Sequence, residues 1–108
     1  MSIPIDEFAK AEIRVGRVTS VEDIPTARKP MYKMTVDFGD FSKQCVGGIK
    51  QFYSKEQLEG RQVIAVVNLL PKSVAGVLSE CMLLAAFDDT TISLLTTDKE
   101  LPLGTKVG

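Results

Sequence analysis

The sequence predicts a mainly all-β fold, a small five-stranded barrel, and three observations carry that prediction. Val63, Ile64, Ala65, Val66 and Val67 form an apolar run too short for a typical helix and rich in β-branched side chains, as suits a strand buried on both faces. Tyr32, Met34, Val36 and Phe38 alternate with Lys33, Thr35 and Asp37, the two-residue period of a strand with one wet face. Helical signals are confined to two short stretches, one at the start of the chain and one just before residue 60.

Taken in order, Ile5, Phe8 and Ala9 share one helical face after Pro4, so residues 4–11 read as a short amphipathic helix with Asp6 and Glu7 near its positive end. Ile13 and Val15 alternate while Val18 falls out of phase, and Gly16 between them is the expected place for a bulge that bends a long first strand. Residues 25–30, bounded by prolines, interrupt before the second strand. Gly39 and Asp40 turn the chain into a third strand over residues 42–49, and Ser54 is placed to cap a short helix that ends at Gly60. The fourth strand is the run at residues 63–67. Pro71 and Gly76 mark residues 68–76 as an exposed connection, and Leu83, Leu84, Ala85 and Ala86 begin the last strand. Three strands, a helix and two strands make the order of an OB-fold, a Greek-key barrel whose open face takes oligonucleotides or other extended ligands. Beyond Ala86 the apolar residues Ile92, Leu94, Leu95, Leu101 and Leu103 form a C-terminal extension with no linker composition before it, so residues 1–108 read as one domain.

Composition narrows the function. The 108 residues are 44% apolar, which argues against disorder, and no run approaches the roughly 20 apolar residues of a membrane helix. Membrane insertion is not expected, and with no secretion leader at the start the expected location is cytoplasmic. With no histidine the commonest general base and the commonest zinc ligand are missing. Cys45 and Cys81 are far apart, lack a CxxC spacing and read as core thiols. The acidic clusters fall at helix starts and turns, and Gly47–Gly48 matches neither a dinucleotide fingerprint nor a phosphate loop. No enzyme activity, metal or cofactor is expected. The net charge of −1 hides an uneven distribution: residues 26–72 hold eight basic and four acidic side chains, and both flanks are acidic. A basic central face and lysines scattered over a barrel both fit that pattern.

Ile13, Arg14, Val15, Gly16 and Val18, the turn Val46, Gly47, Gly48, Ile49, then Leu58, Glu59 and Gly60, residues 63–71, and Gly76, Ser79, Glu80 and Met82 to Ala86 form a spaced set over most of the chain. This set resembles the tRNA-binding domain shared by CsaA, by stand-alone tRNA-binding proteins and by appendages of methionyl-tRNA synthetases. Ala27, Arg28, Pro30 and Tyr32 are most similar to the CsaA branch, whereas the double glycine and residues 79–86 are most similar to the synthetase appendages. The resemblance implies non-catalytic binding of structured RNA, tRNA above all, by a homodimer whose contact surfaces come from the N- and C-terminal extensions. It carries over Asn68 and Ser79 as hydrogen-bonding residues and Met82 as a side chain lying against a base. Lys33, on the wet face of its strand, and Lys72, on the turn, are the expected phosphate contacts, with Arg14 as a further candidate. The bland alternatives are a paired surface arginine, a turn-capping asparagine and a core methionine.

Few aromatics are available for stacking, with no Trp, two Tyr and five Phe, which favours folded tRNA over generic single strands. A second expectation, implied by the CsaA resemblance, is an export chaperone that binds unfolded pre-proteins through Met31, Tyr32, Phe52, Tyr53 and Met82; core packing is their alternative role. A third is a module that presents tRNA in trans to methionyl-tRNA synthetase.

Overall fold

A computed structural model describes residues 1–108. The chain runs α1 (Ile5–Phe8), β1 (Ile13–Asp23), β2 (Tyr32–Asp37), β3 (Ser42–Gly47), α2 (Lys55–Leu58) and β4 (Gln62–Val66). It continues through β5 (Lys72–Val74), β6 (Val77–Ser79), β7 (Met82–Leu83), β8 (Ala85–Phe87), β9 (Ile92–Leu94) and β10 (Lys106–Val107). The main sheet has the order β3-β2-β1-β4-β7. β1 serves two neighbours by dividing its length: residues 13–17 pair with β4 and residues 17–23 with β2. Where β2 ends, β10 takes its place beside β1, with Ile13 opposite Val107. The barrel closes where Glu80 N donates to Gln44 O at 2.7 Å, joining the segment between β6 and β7 to β3. This is the OB-like barrel expected.

The bulge in β1 lies at Thr19, between the pairs Val18↔Val36 and Ser20↔Thr35, and not at Gly16. Gly16 instead permits close packing. A Cβ there would lie 2.6 Å from Val36 Cγ1 and 2.7 Å from Phe38 Cε1, so its bare backbone lets two core side chains approach β1. The phase break at Val18 has a matching cause. Ile13 and Val15 join Ile64 and Val66 in a cluster on the outer face, while Val18 points into the barrel core with Met34, Val36, Phe38, Val63 and Ala65. β4 is thereby buried on both faces, as its composition requires.

α2 plugs the barrel through Leu58, which is fully buried. Ser54 Oγ accepts from Gln57 N at 3.2 Å and Ser54 N donates to Gln57 Oε1 at 2.8 Å, a reciprocal cap that starts the helix where the sequence places it. α1 is shorter than expected and has no buried residue. Residues 72–79, read from the sequence as partly loop, form the hairpin β5–β6, with Val74 opposite Val77 and Ala75 (φ +52°) and Gly76 (φ +80°) as its two-residue turn. Positive φ at both positions matches the right-handed twist of the strands, which is why so short a connection works.

Candidate nucleic-acid interface

The chain leaves β4 at Val67, which stays in the core, and Asn68, Leu69 and Leu70 then emerge before β5. The β5–β6 hairpin folds back over β3, and Met82 opens β7 on the far side. Between these walls lies a groove of about 510 Å³ lined by Asn68, Leu70, Lys72, Ser79 and Met82 among others. Four of the six residues expected to contact RNA are thus brought together, although they come from three segments. Arg14 and Lys33 do not line it. Arg14 Nη2 pairs with Glu12 at 3.0 Å while Nη1 donates to Gly104 O at 3.2 Å, and Lys33 pairs across the strands with Glu22 at 3.0 Å.

Within the groove the polar groups are already partly engaged. Asn68 Oδ1 accepts from Glu12 N at 2.8 Å and its Nδ2 donates to Lys10 O at 2.7 Å, so the amide clasps the N-terminal segment to the barrel. Ser79 Oγ accepts from Val46 N at 3.1 Å and donates to Cys81 O, stitching β6 to β3. Neither partner is a base that would activate the hydroxyl as a nucleophile. Lys72 has no carboxylate partner and is exposed, leaving its ammonium free for an anion. Met82 is 49% exposed and offers a thioether surface, so it is not a core residue. Cys81 sits in the groove wall with Cys45 beside it; a hydrogen bond to Cys81, and then burial, push the Cys45 thiol up and keep it protonated.

The clasp by Asn68 has a measurable consequence. Asn68→Ala removes two hydrogen bonds to backbone and should cost about 1 kcal/mol, seen as a fall of about 5 °C in the thermal midpoint. An unchanged midpoint with weakened RNA binding would assign the amide to RNA alone.

The aromatic residues expected to hold a peptide divide differently. Tyr32 is a core residue, 4% exposed, and its hydroxyl donates to Tyr53 O at 2.9 Å. Tyr53 Oη accepts from Leu94 N at 2.9 Å, and Arg61 lies over its ring at 5.3 Å. Both phenols satisfy backbone groups inside the barrel wall; Tyr32 is thereby buried and offers no surface to a peptide, whereas Tyr53 stays half-buried against the core. A different apolar groove of about 320 Å³ runs beside the first and shares Met82 and Val46 with it. Its walls include Gly48, Leu84, Phe87 and Ile92, and Phe87 is 78% exposed. Sequence reasoning places Phe87 and Ile92 at or beyond the end of the barrel and misses this groove; the alternation of Ala85 and Phe87 is its only local signal.

Comparison with known proteins accords with this geometry. A family model described as "Putative tRNA binding domain" matches residues 13–106. The chain is 46% identical over 105 residues to part of the methionine–tRNA ligase of Methanococcus maripaludis, and 48% identical over 106 residues to part of that of Methanocaldococcus jannaschii. Each match covers 97% of this chain and 16% of the ligase, so the chain spans about a sixth of the length of these curated relatives. Among solved structures, the chaperone CsaA from Bacillus anthracis superposes with a TM-score of 0.94 at 36% identity, covering 100% of both chains. The MetRS related protein from Pyrococcus horikoshii superposes with a TM-score of 0.91 at 38% identity, covering 100% of this chain and 99% of the other.

Proposed function

The chain belongs to the putative tRNA-binding domain family, and from that premise we propose that it binds structured RNA, tRNA in the first place, without catalysing a reaction on it. The observation that carries the reading is the convergence of Asn68, Lys72, Ser79 and Met82 on one open groove. Lys72 neutralises a phosphate, Met82 and Leu70 give apolar surface to a sugar or base, and the second lone pairs of Asn68 Oδ1 and Ser79 Oγ accept from a 2′-hydroxyl or base edge. Met82→Asp tests this: a carboxylate on that half-exposed site repels phosphates, so tRNA affinity should fall at least about tenfold with folding intact. Equal affinity would contradict the assignment of the groove.

The protein acts as a homodimer in this reading. α1 presents Ile5 (74% exposed) and Phe8 (42% exposed) to solvent, and Leu95 and Leu101 are also uncovered, a set of apolar side chains that a second copy would cover. Light scattering should then give twice the 11.8 kDa of one chain; a monomer at all concentrations would contradict it.

A second reading has its own observation. The apolar groove with Phe87 at its edge, together with the likeness to a chaperone, supports binding of unfolded peptide segments. The identity to segments of methionine–tRNA ligases supports a third role, presenting tRNA in trans to that enzyme. Peptide binding would change little with salt, tRNA binding would weaken with it, and a ligase partner would co-purify.

A further inference from the structure

The loop at residues 24–31, between β1 and β2, carries charges that the groove does not use. Arg28 and Lys29 form no ion pair, and with Asp23 and Lys50 they line a hollow on the side of the barrel. Asp23 accepts from Lys50 Nζ at 2.8 Å and Lys55 Nζ at 3.1 Å, and these bonds hold its carboxyl below the usual carboxylate range. One carboxylate therefore orients two ammonium groups, and with Arg28 and Lys29 the cluster has a surplus of three positive charges.

The loop is held in place. Ile24 is buried, Ala27 N donates to Ile24 O at 3.1 Å, prolines stand at 25 and 30, and Thr26 Oγ1 donates to Ala75 O at 3.3 Å at the tip of the β5–β6 hairpin. The hairpin that carries Lys72 at its base thus touches the loop that carries Arg28 and Lys29. The surface between them is continuous. A smaller hollow lined by Lys29, Met31, Gly48 and Gln51 adjoins the apolar groove at Gly48, and that groove meets the Lys72 groove at Val46 and Met82.

We infer that the loop at 24–31 is a second phosphate-binding element, in which Arg28 and Lys29, with Lys50 from the segment after β3, hold the backbone of an RNA strand whose other contact is the Lys72 groove. The inference rests on the RNA-binding reading and extends it from one groove to a track with cations at both ends. It also gives Arg28 a role in RNA binding, where its resemblance to the CsaA branch alone suggests peptides. Pinning the loop in advance lowers the ordering cost of binding, which a mobile basic tail would have to meet.

The test is the salt dependence of tRNA affinity for the full chain, the Arg28→Ser/Lys29→Ser variant and a Lys99→Ser control, which removes an unpaired cation beside the Arg17–Glu100 pair. Removing one cation from a phosphate lowers the slope of log K against log salt by about 0.7–0.9, so the slope should fall by about 1.5 in the loop variant and stay unchanged in the control. A slope unchanged in the loop variant overturns the inference and leaves tRNA binding standing. A proportionate fall in the control also overturns it, since net charge alone would then explain the effect. Failure of the unaltered protein to bind tRNA removes both readings together.

Discussion

Phe38→Ala should lower the free energy of unfolding by about 3–5 kcal/mol, a large part of the roughly 5–15 kcal/mol that a domain of this size has. Phe38 is the largest fully buried side chain, 1% exposed, and its ring stacks on Phe41 with centroids 5.3 Å apart. Its backbone also closes the turn between β2 and β3, with Phe38 N donating to Phe41 O at 2.8 Å. The cavity left by truncation is floored by the backbone of β1 at Gly16, which is paired to β4 through Val63 and cannot collapse inward. Urea unfolding should show a lower midpoint at an unchanged slope. A loss under about 1 kcal/mol would mean that the core closes without this ring.

Gly16→Val should cost about 3 kcal/mol or more by overpacking the same place from the other side. A Cβ at residue 16 lies 2.6 Å from Val36 Cγ1 and 2.7 and 2.9 Å from the Phe38 ring, and both neighbours are fully buried and unable to swing away. The two substitutions should not add. With the Phe38 ring gone two of the three close contacts disappear and Val36 gains space into which to shift from the third, so the double variant should recover about 1–3 kcal/mol relative to the sum of the singles. Additive losses would locate the strain of Gly16→Val elsewhere.

That coupling also shows where sequence reading stops. The alternation at residues 32–38, the apolar run at 63–67 and the Ser54–Gln57 cap are local patterns, and each element forms where its pattern lies. The sequence marks Gly16 as special for a local reason, a bulge, whereas its actual constraint comes from Val36 and Phe38 across the barrel. The β5–β6 hairpin reads as loop because Ala75 is an unusual residue at positive φ and Pro71 and Gly76 dominate the local signal. In the groove, residue types at matching positions are enough to propose Asn68, Ser79 and Met82, and a place on the turn is enough to propose Lys72; the four converge. What Asn68 holds, and the bond that ties Ser79 to β3, are not legible, because those partners lie 56–58 and 33 residues away. The same distance in sequence hides the contact of Cys45 with Cys81 and the continuity between the Arg28–Lys29 loop and the hairpin. Tyr32 is the opposite case, since its alternation with Met34 and Val36 already puts it on the inner face.

RNA binding is tested most directly by titrating fluorescently labelled, folded tRNA with the purified protein, followed by anisotropy at low and moderate salt with an unfolded peptide as competitor. Saturable binding is expected, weakening steeply as salt rises and resisting displacement by the peptide. Absence of saturable binding at low salt would contradict the RNA-binding reading and leave the apolar groove beside Phe87 as the working surface of the molecule.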